Sequence, residues 1–434
     1  MTAAFGSFTG ASAAVPMTEA LWVSDPLGWN YSRVRTNPEL IVDHRSRAGF
    51  EVYGPEGTGD WLSGRRIPYV VQETPNFEKA GADYPGFADV EAKLKDLARR
   101  FPERARLLSI GKSVRGRDLY LLKISRDPAV DARRPEFKYV ANMHGDEIAG
   151  RELVTRFAEE LLESYGRDPE LTELVDRTEI YLMPTLNPDG AEQRRRGNAN
   201  SVDLNRDFPD FLSDRRNTPV GRQPETAAMM NFQVQRNFAL SANFHGGSEV
   251  VNYPWDTTAA DHPFVNLIRE LSLSYSRGVP YMFQSREFPS GIVNGHKWYE
   301  IDGGMQDWSE SFYQDLQVTI ELTSAKWPAY AQIPHYYREN RKGLVEYLKR
   351  VHQGAGFYFD DGRADARGLT GKVRLERSGK EIGAYDFRNG EFYRVLEPGD
   401  YEFSVELANG ERHRFSRTVE AGVIAATGNY EVLR

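Results

Sequence analysis

Residues 137–152 read FKYVANMHGDEIAGRE, and within them His144 and Glu147 stand three positions apart. An imidazole nitrogen and a carboxylate at that spacing on a tight turn can reach a single ion. Zinc in catalytic sites takes three protein ligands and keeps a fourth position for water, and two histidines with one glutamate are a known set. The stretch therefore asks for a third ligand further along. H-x-x-E alone is a weak signal, because both residue types are common on surface turns. The run FALSANFHGG supplies the candidate: His245 ends an apolar stretch and is followed by glycines. A second carboxylate, Glu321, sits inside the apolar run LQVTIEL. An acid there is costly to bury unless it serves a site.

The elements that must hold these groups alternate. Tyr139-Val140-Ala141 reads as the end of a buried strand, and a helix opens at about Gly150 with Leu153, Val154, Phe157, Ala158, Leu161 and Leu162 on one stripe. Residues 87–101 form an amphipathic helix ended by Pro102, followed by strands at 105–108 and 119–124. A strand at 179–183, a turn at Asn187-Pro188-Asp189-Gly190, and helices near 224–237, 263–276 and 334–352 complete the pattern; Gly166 and Pro169 read as the stop after the first of the long helices. Strands alternating with helices predict a mixed, mainly parallel sheet flanked by helices, an α/β domain. Ligands of such sheets bind outside the carboxyl ends of the strands, where His144 and His245 both fall. Two long irregular stretches stand out: the Arg- and Asn-rich loop 194–210 and the glycine-rich, aromatic loop 291–308, of the kind that is often functional.

From about residue 357 the texture changes to short alternating runs (KVRLE, EFYRVLE, YEFSVEL, HRFSRTVE) with Gly, Asp and Asn turns between them, a small all-β sandwich. The chain thus divides into an N-terminal extension at 1–81 with short strands (GFEVYG, YVVQE) and no assigned chemistry, an α/β domain at 82–354, and a β domain at 355–434. His44, in the extension, reads as a solvated or locally bonded histidine, and His262, His296, His335, His352 and His413 as surface or core histidines.

At 434 residues the length suits two or three domains. Hydrophobic residues make up 40% and aromatics 12%, enough for a sizeable core. With 63 acidic and 55 basic residues intermixed, the net charge of −8 shows no nucleic-acid footprint and mildly favours cationic substrates. There is no cysteine, so a metal must rest on His, Asp and Glu. No run of about 18 apolar residues predicts a membrane span. The Ala-, Gly- and Ser-rich start has no Lys or Arg before Arg33 and lacks the charged opening of a signal peptide.

The motifs HGDEIAGRE, LNPDG, RGNANSVDLNRDFPD, SANFHGGSEVVNYPWD, GIVNGHKWY, GGMQDW and TIELTSAKWP occur in this order. In them the chain resembles the zinc metallocarboxypeptidases, most closely the N/E-type, or regulatory, branch, from about residue 84 to 352. The C-terminal β segment is similar to the transthyretin-like domain of that branch. The resemblance implies one zinc ion on His144, Glu147 and His245, with Glu321 as general base. It implies that Arg196 polarises the scissile carbonyl, that Asn205 and Arg206 hold the substrate's terminal carboxylate, and that Tyr299 covers the bound peptide. Asp256 and Gln306 match the residues that receive a basic side chain. Arg194 and Arg195 are alternatives in register to Arg196. The chain departs from the family pattern at Thr323-Ser324-Ala325, where a cysteine is usual, at Asp207, where many members have Asn, and at Glu249, which adds a charge near the third ligand.

The implied partners are peptide or protein C-termini, in a secreted or periplasmic setting; the oligomeric state is left open, with a monomer as one option. A planar guanidinium grips a carboxylate by two parallel hydrogen bonds, and only a chain end offers that carboxylate. Such an enzyme would release C-terminal Lys or Arg by a water that zinc activates and Glu321 deprotonates. Two other readings stay open at this point: a zinc peptidase acting on cell-wall or other non-basic peptides, and a non-catalytic peptide-binding module, against which the presence of Glu321 argues.

Overall fold

The protein is described from a computed structural model, over residues 17–72, 84–360, 368–422 and 429–434. The Ala-, Gly- and Ser-rich start up to residue 16 lies outside them. The short β-prone runs of the N-terminal region pair into an antiparallel sheet of β1 (Glu19–Ser24), β2 (Ile41–Asp43), β3 (Gly49–Gly54) and β4 (Tyr69–Val71), in the order β2-β3-β1-β4.

The central sheet has eight strands: β5 (Ala105–Lys112), β6 (Asp118–Ile124), β7 (Glu136–Ala141), β8 (Glu179–Met183), β9 (Phe238–His245), β10 (Ser248–Tyr253), β11 (Ile292–Asn294) and β12 (Leu316–Thr323), in the order β11-β10-β12-β9-β7-β8-β6-β5. Its middle four, β12-β9-β7-β8, are parallel. Every residue of β8, β9 and β12 is buried, which is why these strands read as unbroken apolar runs rather than as alternating ones. Helices Phe87–Arg100, Ala149–Ser164, Val265–Ser276 and Ile333–Lys349 cover one face; helices Pro224–Gln233 and Met305–Tyr313 cover the other.

Two expectations are corrected here. Pro169 does not merely stop a helix: it begins the helix Pro169–Arg177, whose first N–H groups bond to the Asp168 carboxylate (Glu170 N, 2.9 Å; Leu171 N, 3.2 Å). The stretch 291–308 is not a loop throughout. It contains edge strand β11, a helical turn at Gly295–Trp298 and the start of helix Met305–Tyr313.

Beyond the α/β sheet lie β13 (Gly354–Phe359), β14 (Gly371–Arg377), β15 (Lys380–Phe387), β16 (Glu391–Val395), β17 (Gly399–Leu407), β18 (Arg412–Val419) and β19 (Tyr430–Leu433). They form sheets β16-β13-β19 and β15-β14-β17-β18 that share a core including Phe357, Val373, Leu375, Phe392 and Phe403. No helix among the described residues is long and apolar enough to cross a membrane.

Arg394 on β16 ties this β region to the α/β region. Its guanidinium is 1% exposed, lies 4.5 Å from the Phe264 ring centre, and donates from Nη2 to Glu310 Oε1 at 2.9 Å. Arg394→Ala leaves Glu310 a buried carboxylate without its guanidinium, and should cost about 3–5 kcal/mol. Lys372→Ala, at the exposed pair with Asp386, should stay within about 0.5 kcal/mol. Thermal denaturation of the two variants beside the parent checks both.

Candidate active site

The carboxyl ends of β7, β9 and β12 lie side by side, and each delivers part of one buried cluster. After β7 the chain turns at Asn142, a fully buried residue with φ of 53°. Its side-chain amide donates to the His144 carbonyl at 2.8 Å and to the Glu147 carbonyl at 3.2 Å, which pins the HGDE turn. His245 is the last residue of β9, and in the parallel register Glu321 on β12 is its neighbour.

His144 Nδ1 lies 3.0 Å from Glu147 Oε1, His245 Nδ1 lies 2.8 Å from Glu147 Oε2, and the two Nδ1 atoms are 3.0 Å apart. Bonds of about 2.0–2.2 Å to a shared tetrahedral centre would put donors roughly 3.3–3.6 Å apart, so a small outward shift of these three atoms gives a set that suits zinc. All three side chains are buried. Asp203 Oδ1 lies 2.9 Å from His144 Nε2, where it fixes the ring and leaves Nδ1 as the donor for a metal. A second grouping, Asp43, His44 and Glu51, has cationic partners already: Arg196 on Asp43 and Lys326 on Glu51.

Arg196, rather than the exposed Arg195 or the half-buried Arg194, reaches this cluster. Its Nε donates to Asp203 Oδ2 at 2.9 Å, and Nη1 comes within 3.4 Å of Glu147 Oε1. Arg194 instead stacks on Trp327. The backbone supports Arg196 through Asn187, whose side chain donates to the Arg196 carbonyl at 3.3 Å and to that of Met143 at 3.1 Å. Asn187 also caps helix Pro188–Gln193, so the expected LNPDG turn is the start of a helix. Glu321 is 3% exposed, and its Oε2 has no hydrogen-bond partner among the described residues. Arg206 Nη2 is likewise without one, while Nη1 donates to the Asn205 carbonyl at 2.9 Å. Asn205 Oδ1 accepts from Met305 N at 3.0 Å. Tyr299, 4% exposed, lines the same cavity as Arg206, Glu321 and the three metal-binding candidates.

Asp256 sits deeper. Its Oδ1 accepts from Gln306 Nε2 at 3.0 Å and from Asn252 Nδ2 at 3.2 Å. Gly295 is required beside it, since a Cβ there would come 1.6 Å from Asp256 Oδ1. Burial pushes the Asp256 carboxyl up to about 7, only partly opposed by its amide partners and the more distant Arg206 charge. Burial, with the adjacent Asp256, also raises Asp307, which accepts from the Asp256 and Thr257 N–H groups. Of the departures from the family pattern, Asp207 accepts from Gln223 N at 2.7 Å and Glu249 lies 3.4 Å from Ser324 N; neither joins the cluster.

Of the two readings of His44, the solvated one is overturned and the locally bonded one holds: it is 8% exposed, its Nδ1 lies 3.1 Å from Glu51 Oε2, and its Nε2 also lies 3.9 Å from Glu321 Oε2. Its neighbour Asp43 lies 2.5 Å from Arg196 Nη1. Burial opposes ionisation of Asp43, yet Arg196, with His44, Arg206 and Lys326, holds its carboxyl well below the usual carboxylate range. Nothing local in the run IVDHRS signals this, because the contacts cross more than 150 positions of sequence. Asp203 and Asn142 were also missed. The adjacency of Asp203 to the LNR stretch was the available clue for the first, and an apolar strand ending in Asn before the histidine turn for the second.

A profile of the family described as zinc carboxypeptidase matches residues 90–343. Carboxypeptidase D of Homo sapiens is 40% identical over 371 residues, which is 79% of this chain and 26% of that protein. Carboxypeptidase M of Mus musculus is 37% identical over 357 residues, 76% of this chain and 79% of that protein. The chain therefore spans about a quarter of the carboxypeptidase D relatives it matches. Among solved structures, carboxypeptidase A from Helicoverpa armigera superposes with a TM-score of 0.61 at 16% identity, over 79% of this chain and 98% of that one, a likeness of fold.

Purified protein is expected to carry about one zinc per chain, and His245→Ala to lose most of it, by elemental analysis. Asp203→Asn should keep the three donors but weaken zinc affinity by about 10–100-fold, read by competition with a chromophoric chelator. Full zinc retention in His245→Ala would refute the ligand set.

Proposed function

The chain belongs to the zinc carboxypeptidase family, and on that premise we propose that it hydrolyses the C-terminal peptide bond of peptides or proteins, releasing lysine or arginine. The observation that carries the reading is Arg206: a guanidinium with an unfilled donor, sharing one cavity with His144, Glu147, His245 and Glu321. A terminal carboxylate would complete its hydrogen bonding, with Asn205 held beside it. An internal peptide bond offers no such group, which limits attack to the chain end.

His144, Glu147 and His245 would hold the zinc, which when bound supplies a Lewis acid that acidifies water and polarises a carbonyl. Glu321, next to His245 in register and with a free oxygen, would take the water's proton and pass it to the leaving amine. Arg196 would donate to the oxygen that gains negative charge, a contribution of roughly 3–4 kcal/mol for one such donor. Tyr299 would close over the bound residue and exclude water. Asp256 and Gln306 would receive its side chain. Asp256 is bonded to neutral amides alone, so a cationic end group would relieve a buried carboxylate that has no bonded counter-charge. Gln306 both donates and accepts, so it can orient either Lys or Arg.

Glu321→Gln should keep its zinc and its fold but lose roughly 100–10,000-fold in turnover; near-parental turnover would remove Glu321 as the base. For specificity, kcat/KM for peptides ending in Arg, Lys and Leu is compared in the parent and Asp256→Ala. The parent should prefer the basic ends and the variant should lose that preference through the basic substrates. A parent preferring Leu, or unchanged ratios, would overturn the assignment. Because the Asp256 carboxyl is raised to about 7, it is neutral below that pH and charged above it. The Arg-over-Leu ratio should therefore climb between about pH 6 and pH 8, a trend that Asp256→Asn would flatten.

A further inference from the structure

Asp256 owes its place to one helix. Its N–H and that of Thr257 donate to Asp307 Oδ2 at 2.8 and 3.0 Å, and its own Oδ1 accepts from Gln306. Gln306 and Asp307 lie in the first turn of helix Met305–Tyr313, and Glu310 follows them by four and three positions, on the same face. One helical turn thus holds both the backbone and the carboxylate of Asp256, and whatever holds Glu310 sets where that turn stands.

Glu310 is gripped from outside the α/β region. Besides its 2.9 Å bond from Arg394 Nη2, it has His262 Nε2 at 3.3 Å from the same oxygen. His262 Nδ1 accepts from Phe264 N at 3.0 Å, which puts the ring's proton on Nε2, facing the carboxylate. The His262 ring packs on Trp255, the residue before Asp256, with 4.6 Å between ring centres. Arg394 itself is seated against two rings, 4.5 Å from the centre of Phe264 and 4.8 Å from that of Tyr385. Two routes therefore run from Arg394 to Asp256: one through Glu310 and the helix, the other through His262 and Trp255. Burial opposes ionisation of Glu310, yet Arg394 and His262 lower its carboxyl to about 2, so the pair stays charged across neutral pH. Arg394, Glu310 and His262 are all buried, and none of them lines the cavity of the metal-binding candidates. Replacing a buried ion pair by well-packed apolar residues is often neutral or stabilising, so stability alone does not account for one here.

We propose that the C-terminal β unit sets the choice of end group: Arg394, acting through Glu310 and His262, is a positioning residue that holds Asp256 and Gln306 at the spacing a basic side chain needs. Without this clamp the helical turn and the 255–257 segment lose their common anchor, and Asp256 meets a lysine or arginine end less well. The metal-binding candidates and Glu321 stand on the ends of β7, β9 and β12 and do not depend on it. The proposal rests on the reading of Asp256 as the receiver of the basic side chain; the tie between Arg394 and the 255–257 segment does not.

The test uses the full chain with its zinc, as parent, Arg394→Lys, Arg394→Met and the double variant Arg394→Met with Glu310→Gln. The double variant leaves no unpaired charge buried between the units, so it keeps the comparison open should Arg394→Met fail to fold. Three readouts are taken: kcat/KM on hippuryl-arginine and hippuryl-leucine, zinc content, and amide hydrogen exchange in the stretch 250–262. Arg394→Met and the double variant are expected to cut the arginine-over-leucine ratio by about tenfold, mainly through KM for arginine, with the leucine value and the zinc kept. Exchange at Asp256 and Thr257, whose N–H groups bond Asp307, should quicken in parallel. Arg394→Lys keeps the charge and should recover part of the ratio. In an Asp256→Ala background the same substitutions should move the ratio by less than about twofold, because the clamp acts through Asp256. A purely structural role would instead lower both substrates together and add to Asp256→Ala. Folded, zinc-loaded variants with the parental ratio, an equal loss on both substrates, or full additivity with Asp256→Ala would each overturn the proposal. If the parent shows no preference for arginine while exchange quickens in the variants, the specificity reading fails and its proposed control with it, and only the tie to the 255–257 segment stands.

Discussion

Two imidazole nitrogens and a carboxylate, 2.8–3.0 Å from one another and shut away from water, are held together at a cost that a shared cation offsets. The surrounding charges point the same way. Asp43, Glu147, Asp203 and Glu321 meet Arg196 and Arg206 in one buried region, four carboxylates against two guanidiniums, so the local field favours positive charge at the imidazoles. A cation shared by the imidazoles would supply that charge in place of a proton. The rest of the site is arranged around this need: Asp203 orients His144 and restrains Arg196 at once, and the carbonyls of the HGDE turn are gathered by Asn142.

Such a cluster requires a frame stiff enough to hold like charges close. The frame is the parallel centre of the sheet, whose strands are covered on both faces and carry their hydrogen bonds internally. Because β7, β9 and β12 run in one direction, their carboxyl ends share an edge, and groups far apart in the chain become neighbours. Within the sheet, the buried Lys138–Asp315 pair is met by Ser241 and Gln317, so even the polar part of the core is bonded inward.

The two flanking β units act on opposite sides of this frame. Arg394 of the C-terminal unit pairs with Glu310, on the same helix that carries Gln306, which touches Asp256. The wall formed by Gln306 and Asp256 is thus braced from behind by a residue that does not line the cavity. The N-terminal unit reaches the cavity itself, and it does so with the two side chains at the end of one short strand.

The residue types, their order and their periodicity were enough to read the α/β frame, the β character of the C-terminal region, and the cluster of His144, Glu147, His245 and Glu321. These signals are local or fall at fixed places in strand–turn–helix units: an apolar run ending in His, an acid inside a buried strand, an Arg-Asn loop. Helix Pro169–Arg177 and the capped turn at Asn187 were misjudged, because Pro and Asn punctuate both stops and starts and only the hydrogen bonds decide which. The reach of Asp43 and His44 into the cavity was not legible. It depends on a three-residue strand, a left-handed turn and partners such as Arg196 and Glu321 that lie between 150 and 280 positions away, and no propensity or spacing in IVDHRS encodes those partners. Packing between units placed those two residues; the chemistry they meet there had been present in the sequence all along.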